Sequence, residues 1–214
     1  SLDGPEEVHD KVRNFKGAYN KVLETIDVMK TYRNQPNFFL RLASVLTKDN
    51  RHFLEDLFNK TSLWPIDFHE LILVRDVPVK EQLELKEDYK RLSKIQHKRA
   101  SANWRKSFNG KLFEKIYLET IKRIGSDKIH SPCLAGGRFV EIFPDGLVRG
   151  CEVEKLWNIS KIGNVNEDNI DIVDIIKTRK AKEFRKVAKK CTCTFECASA
   201  TNTVYNPKHW ASLI

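Results

Sequence analysis

The distribution of cysteine constrains this chain more than any other feature of its sequence. All five cysteines lie towards the carboxyl end, at Cys133, Cys151, Cys191, Cys193 and Cys197, and the long segment before Cys133 contains none. Such clustering indicates that the thiols share one task. An odd number that includes a Cys-x-Cys pair favours metal binding over disulfides. We therefore expect a reducing, cytoplasmic environment.

Composition sets wider limits. A chain of 214 residues with 41% hydrophobic and 31% charged residues is typical of a soluble protein with one large domain or two small ones. No apolar run reaches the about 18 residues of a membrane span, and the acidic, polar opening is unlike a signal peptide. The first residue is Ser rather than Met, so we expect a fragment that begins inside a domain.

The order of apolar segments predicts an α/β fold for the first 125 residues. Residues 1–17 are predicted to form a strand end and a loop, and residues 18–33 a helix. Strands are predicted at residues 38–46 and 68–74, and Asp49 is expected to cap the helix between them. Strand, helix and strand in this order predict a parallel sheet. Ligands of such sheets bind at the carboxyl ends of the strands, here residues 1–4, 47–50 and 75–77.

Residues 80–124 are predicted to be mainly helical. Two helices are expected, with a break near Asn109-Gly110. Trp104 and Phe108 are expected to pack in the core, with stacking on a ligand as the alternative.

The remaining residues, 126–214, have a different pattern. Residues 138–143 and 147–151 flank Pro144-Asp145-Gly146, which predicts a β-hairpin. A helix over residues 172–189 is expected next, with an apolar face formed by Ile172, Ile175, Ile176, Phe184 and Val187. The hairpin would hold Cys133 and Cys151 at one end, and the helix would deliver Cys191, Cys193 and Cys197 to the same place.

Four thiolates from two segments can enclose one metal centre, and a fifth is then spare. Thiolates bind both zinc and iron–sulfur clusters. The spacing of the cysteines leaves both open, together with a set of buried thiols without metal.

Two motifs resemble those of radical S-adenosylmethionine (SAM) enzymes. Cys133, twelve residues, Gly146, four residues and Cys151 resemble the opening of the SPASM/twitch iron–sulfur domain of that family. Gly163-Asn164-Val165 is similar to the motif that follows the second cysteine there. At the other end, Ser1-Leu-Asp-Gly with His9-Asp10 and Arg13 resembles the fourth-strand motif S-(L/I)-D-G-x-x-x-x-H-D-x-x-R of the radical SAM barrel.

The resemblance implies an α/β architecture in which residues 1–125 form the C-terminal half of a partial (β/α)6 barrel. Residues 126–214 would form a small α+β SPASM/twitch domain. In the family, a [4Fe–4S] cluster bound by Cys-x-x-x-Cys-x-x-Cys cleaves S-adenosyl-L-methionine to a 5′-deoxyadenosyl radical. This sequence lacks that motif, so we expect radical chemistry to need the missing N-terminal half of the barrel as a partner. Without it, exposed apolar strand edges predict poor solubility.

The resemblance also implies site residues. Ser1 and Arg13 match positions that contact the methionyl group of S-adenosylmethionine, where a guanidinium suits a carboxylate. Asn50 matches a contact to the nucleoside, with helix capping as the alternative, and Asp3 and His9 have the alternative role of organising the turn. In the tail, the cysteine count implies one auxiliary [4Fe–4S] cluster. Its ligands would be Cys133, Cys151 and Cys197, with Cys191 and Cys193 competing for the fourth place.

Three functions follow as hypotheses. The first is the C-terminal part of a radical SAM oxidoreductase or maturase that modifies a peptide, sugar or lipid-linked substrate. The second is a non-catalytic iron–sulfur or zinc-stabilised binding module. The third, nucleic-acid binding, is permitted by the net charge of +9. It is disfavoured because the basic residues from Lys177 to Lys190 follow a solvated helix face, and Phe184 among them belongs to the apolar face.

Overall fold

The computed structural model describes residues 1–35, 38–75, 77–124, 126, 131–153, 156–167 and 171–213. It divides into a first unit, Ser1–Glu114, and a second unit, Lys115–Ile214. Residue 125, where the sequence places a domain boundary, lies outside the described residues, as does residue 76 at the end of the second predicted strand.

A pair of parallel strands forms the centre of the first unit. Strand β1 (Arg41–Leu46) pairs in register with strand β2 (Phe68–Leu73), and helix α3 (Leu54–Thr61) connects them. The predicted order of strand, helix and strand is therefore confirmed. The opening residues run along the other side of β1, where the Leu2 amide donates to the Ala43 carbonyl at 2.8 Å.

Helices make up most of the rest of the first unit. They are α1 (Glu6–Arg13), α2 (Ala18–Met29) with a 3₁₀ turn at Lys30–Tyr32, α4 (Val79–Glu84), α5 (Lys86–Arg99), α6 (Ala102–Lys106) and α7 (Phe108–Arg123), which continues into the second unit. The loop predicted up to residue 17 is thus wrong, because α1 occupies most of it. The Asp49 cap is also wrong, because α3 starts only at Leu54 and has Phe53 at its N-cap position.

The helix break predicted near Asn109-Gly110 is confirmed, at Ser107 between α6 and α7, whereas the prediction of only two helices is wrong because further breaks occur at Leu85 and Ser101. The hydroxyls of Ser101 and Ser107 accept hydrogen bonds from the amides of Trp104 at 3.1 Å and Gly110 at 3.0 Å. Gly110 does not form a turn; it lets the backbone of α7 lie close to the Trp104 carbonyl group. A Cβ atom there would lie 2.0 Å from the Trp104 carbonyl oxygen.

The two aromatic side chains predicted for the core differ in their outcome. Trp104 is buried and stacks on Phe68, with ring centroids 5.0 Å apart and planes at 11°, so this prediction is confirmed. Phe108 is 54% exposed at the start of α7. Its placement in the core is therefore wrong.

A three-stranded antiparallel sheet forms the second unit together with short helices. The strand order is β3 (Glu141–Ile142), β4 (Leu147–Arg149) and β5 (Lys161–Asn164). The predicted hairpin is confirmed, with the Gly146 amide donating to Phe143 at 2.9 Å and Gly146 at a φ of 80°. The helices are α8 (Trp157–Ser160), α9 (Ile172–Lys177), α10 (Arg179–Ala188) and α11 (Glu196–Val204), followed by a 3₁₀ turn at Pro207–Ser212.

The single helix predicted over residues 172–189 is in fact the pair α9 and α10. Thr178 interrupts it with an extended ψ of 161°, and its hydroxyl accepts from the Ala181 amide at the start of α10. The burial of the predicted apolar face differs from residue to residue. Ile175 and Phe184 are buried as predicted, whereas Val187 is 46% exposed, contrary to its predicted place on the apolar face.

The described strands form a mixed α/β structure and do not close into a barrel. The partial (β/α)6 barrel therefore stays a prediction. Within the described ranges, no helix combines the length and the apolar character that crossing a membrane would require.

Candidate metal centre

Four of the five thiols come together in the second unit. Cys133 precedes the hairpin and Cys151 follows it, while Cys191 follows α10 and Cys193 lies in the extended segment before α11. Cys133, Cys151 and Cys191 are buried members of the hydrophobic core of this unit, and Cys193 packs against it half-buried. All five cysteines are described, and none is joined in a disulfide.

The ionisation of these thiols shows that they lie within electrostatic reach of one another. Burial is the main cause that raises the pKa of Cys133, and the charge of Cys191 raises it further. Burial raises the pKa of Cys151 to about 12, with Cys133 and Cys191 contributing. The pKa of Cys193 is raised first by a hydrogen bond with Cys191 and then by burial. Four thiolates here would repel one another in a medium that solvates them poorly.

Three of the sulfurs share the same local backbone contact. The amides of Ala135, Val153 and Phe195 each hydrogen-bond to the cysteine two residues earlier, and each lowers the pKa of that thiol. An amide that points at sulfur stabilises the thiolate, and hydrogen bonds of this kind tune iron–sulfur clusters. The backbone is thus arranged for sulfur atoms that carry negative charge.

The donor atoms are of the chemical kind that binds a metal centre through thiolates. It consists of sulfur alone, it is largely buried, and it comes from a hairpin and a separate segment. Zinc and iron–sulfur clusters both take such ligands. Among the described residues, no three or more His, Cys, Asp or Glu side chains are arranged to hold a single metal ion. The thiols therefore affect each other's ionisation without converging on one point.

Cys197 has a different environment from the other four cysteines. It lies in the first turn of α11 and is exposed. The thiol that most affects the pKa values of Cys133 and Cys193 is Cys191. The resemblance gave Cys197 a firm place and made Cys191 and Cys193 alternatives, whereas the structure sets both of these beside Cys133. The assignment of ligands stays a prediction.

Sequence reasoning missed two polar side chains beside the thiols, Arg123 and Asn202. Arg123, at the end of α7, is 4% exposed and donates to the carbonyls of Ser131 and Cys191. Asn202, in α11, is 1% exposed and accepts from the Leu134 amide at 2.9 Å. Both side chains lower the pKa of Cys133. Neither belongs to a motif, so one sequence carried no signal for them.

The second predicted site, at the start of the chain, is organised around Asp3. This carboxylate is 2% exposed, lies 2.7 Å from the Arg13 guanidinium and accepts from the Val45 amide at 2.9 Å. The Asp3 amide donates to His9 Nδ1 at 3.1 Å, and burial lowers the pKa of His9. Asp3 and His9 therefore organise this turn. Arg13 remains 41% exposed, and Ser1 is exposed as well.

Asn50 is not placed to contact a ligand in this structure. Its amide group donates to the carbonyls of Asp3 and Val45, both at 2.8 Å, and its oxygen accepts from the Thr47 amide at 2.9 Å. With 1% exposure, all its polar capacity is used. Asn50 joins the opening segment to the end of β1, and it does not cap α3.

Comparisons with known proteins identify no relative: no family model matches the chain, and no curated protein or solved structure shows significant similarity to it.

Proposed function

We propose that the second unit binds one [4Fe–4S] cluster through Cys133, Cys151, Cys191 and Cys193. We further propose that the chain is the C-terminal part of a radical SAM enzyme in which this cluster is auxiliary. The observation that carries the proposal is that Cys133, Cys151 and Cys191 are buried in one hydrophobic core and that Cys193 packs against that core and hydrogen-bonds with Cys191.

Electrostatics supports a cationic occupant. Burial and neighbouring thiols raise the pKa values of Cys133, Cys151 and Cys193, and iron ions would replace the protons of these thiols with positive charge. Metal binding requires deprotonated cysteine, so cluster assembly would release protons. The three backbone amides directed at sulfur support the bound thiolates.

The assignment to radical SAM enzymes rests on the cysteine spacing and on the segment from Ser1 to Arg13. An auxiliary cluster, when bound, supplies electron transfer or a site for substrate ligation. The chain's own residues would bind and enclose the cluster, and Arg13 offers a partly exposed guanidinium for the carboxylate of S-adenosylmethionine. A peptide, sugar or lipid-linked substrate is the expected class. The catalytic cluster would need the motif Cys-x-x-x-Cys-x-x-Cys, which these residues do not contain.

The cluster is tested by anaerobic reconstitution, with iron and sulfide analysis and an absorption spectrum. About four irons and four sulfides per chain are expected. Cys133→Ala and Cys151→Ser should lose them. Cys197→Ser, which changes an exposed thiol, is the matched control and should retain the cluster. One zinc without sulfide would instead support the alternative of a zinc-stabilised module, and the absence of bound metal would contradict both.

The enzymatic part of the proposal needs a separate test with the full-length protein. Formation of 5′-deoxyadenosine from S-adenosylmethionine under reducing conditions is expected, and Arg13→Gln should weaken cofactor binding. A full-length protein that binds the auxiliary cluster but forms no 5′-deoxyadenosine would favour the alternative, a non-catalytic iron–sulfur binding module.

A further inference from the structure

Arg123 connects the two chain segments that supply the thiols. One end of its guanidinium donates to the carbonyl of Ser131, two residues before Cys133, and the other donates to the carbonyl of Cys191 itself at 3.5 Å. Its side chain is 4% exposed. A single buried side chain therefore joins the hairpin side of the thiol group to the segment that follows α10.

One buried donor at this place, Nε of Arg123, has no acceptor among the described residues. The Asn202 side chain hydrogen-bonds to the Cys133 thiol while its oxygen accepts from the Leu134 amide. Buried polar groups in folded proteins nearly always find a partner. Negatively charged sulfur on a bound cluster would supply that partner.

We propose that Arg123 and Asn202 are positioning residues of the metal centre, an inference that rests on the proposed function. Arg123 holds the segments of Cys133 and Cys191 together and places its permanent positive charge beside the cluster. Asn202 fixes Leu134 with its oxygen and directs its amide hydrogens towards the sulfur of Cys133. Neither residue ligates iron.

The expected effects follow from charge and from bridging. Removal of a positive charge beside a cluster makes reduction harder, so Arg123→Gln should lower the midpoint potential of the cluster. Loss of the bridge should also raise the rate of iron release to a chelator by about 10-fold, the lower end of the range for such supporting partners. Asn202→Ala should lower the potential less, because it removes a dipole and not a charge.

Arg123→Lys separates the two effects, because lysine keeps the charge but cannot reach both carbonyls as a planar fork. The potential should return towards that of the wild type while iron release stays fast. Arg185→Gln is the matched control. Arg185 also joins two segments, through the carbonyls of Gly136 at 2.8 Å and Ile176 at 2.6 Å, and it is not among the groups that affect the pKa of Cys133.

The experiment is redox titration and chelator-release kinetics on the reconstituted chain, at a temperature where circular dichroism shows every variant folded. A lower potential in Arg123→Gln, restored in Arg123→Lys and absent in Arg185→Gln, is the expected result. If the wild type binds a cluster but Arg123→Gln and Arg185→Gln have equal potentials and release rates, the inference about Arg123 is wrong and the proposed function stands. A wild-type chain that binds no cluster overturns both.

Discussion

The surroundings of His69 explain why its imidazole has an unusually low pKa. It lies on β2, with its Nε2 2.8 Å from the Ser44 hydroxyl and its Nδ1 2.9 Å from the Thr61 hydroxyl. The Ser44 hydroxyl donates to the Leu2 carbonyl, so Nε2 carries the proton and Thr61 donates to Nδ1. Burial lowers the pKa of His69 to about 3. The neutral ring is thus a structural link between β1, α3 and the opening segment.

Acid should therefore destabilise the protein through His69. Its folded pKa of about 3 lies below the ordinary histidine value of 6.5, so between these pH values the unfolded chain binds one proton more than the folded chain. The free energy of unfolding should fall as the pH falls through this window, by at most about 1.4 kcal/mol per pH unit from this residue. Urea unfolding at a series of pH values measures the slope.

His69→Gln keeps polar atoms in place and removes the titrating group. The free energy of unfolding of this variant should therefore depend less steeply on pH than that of the wild type, by up to the equivalent of one bound proton. Equal slopes for the wild type and His69→Gln would contradict a buried neutral imidazole.

The roles of individual side chains were the hardest features to predict from the sequence. The family motif indicated Asn50 as a ligand contact, but tertiary contacts with Asp3 and Val45 use its whole amide. Arg123 and Asn202 were missed because their role depends on which segments lie together in space. The importance of the cysteines was predictable, because a cluster of thiols in one part of a chain is itself a chemical signal.

At the scale of elements, Thr178 decides where one helix ends and the next begins. Its hydroxyl donates to the Ile175 carbonyl at 2.7 Å and accepts from the Ala181 amide at 3.2 Å. It therefore closes α9 and caps α10, which delivers Cys191 to the thiol group. The cap fixes the start of α10, and the orientation of this helix determines where Cys191 lies.

Thr178→Ala should lower the free energy of unfolding by about 1 kcal/mol, the typical effect of a lost N-cap. Thr178→Ser keeps the hydroxyl and should stay close to the wild type. Chemical denaturation followed by circular dichroism measures both. If the alanine variant were as stable as the serine variant, the hydroxyl would not be what starts α10.

The hairpin and the parallel strand pair were predictable because their signals are local. Pro144-Asp145-Gly146 specifies a turn by its own backbone preferences, and the strand order follows from chain sequence alone. The helix break near Asn109-Gly110 was predicted, but the breaks at Ser101 and Thr178 were not, because a capping hydroxyl is equally compatible with a helix interior. Gly110 itself lies inside α7, where its small size allows the close contact with Trp104.

At the scale of the whole molecule, the cysteine thiols are distributed unequally between the two units. Every cysteine belongs to Lys115–Ile214, and Cys133, Cys151 and Cys191 are part of the hydrophobic core there. The first unit has its own core, which includes Trp104, Phe68 and Tyr89, and contributes no thiol. A metal that binds the thiols therefore ties together the hairpin and the chain after α10 within the second unit.

Removal of the cluster should accordingly loosen the second unit more than the first. Ligands that bind only the folded state stabilise it by mass action, and metal binding is folding free energy where the site is absent from the unfolded chain. Hydrogen exchange before and after anaerobic chelation should show lost protection in β4, β5 and α10, while β1 and β2 change little. Cys151→Ser, without chelator, should reproduce the chelated pattern. Equal loss of protection in β1 and β2 would mean that the cluster stabilises the chain as one cooperative body, because those strands contain no ligand and can respond only through the second unit.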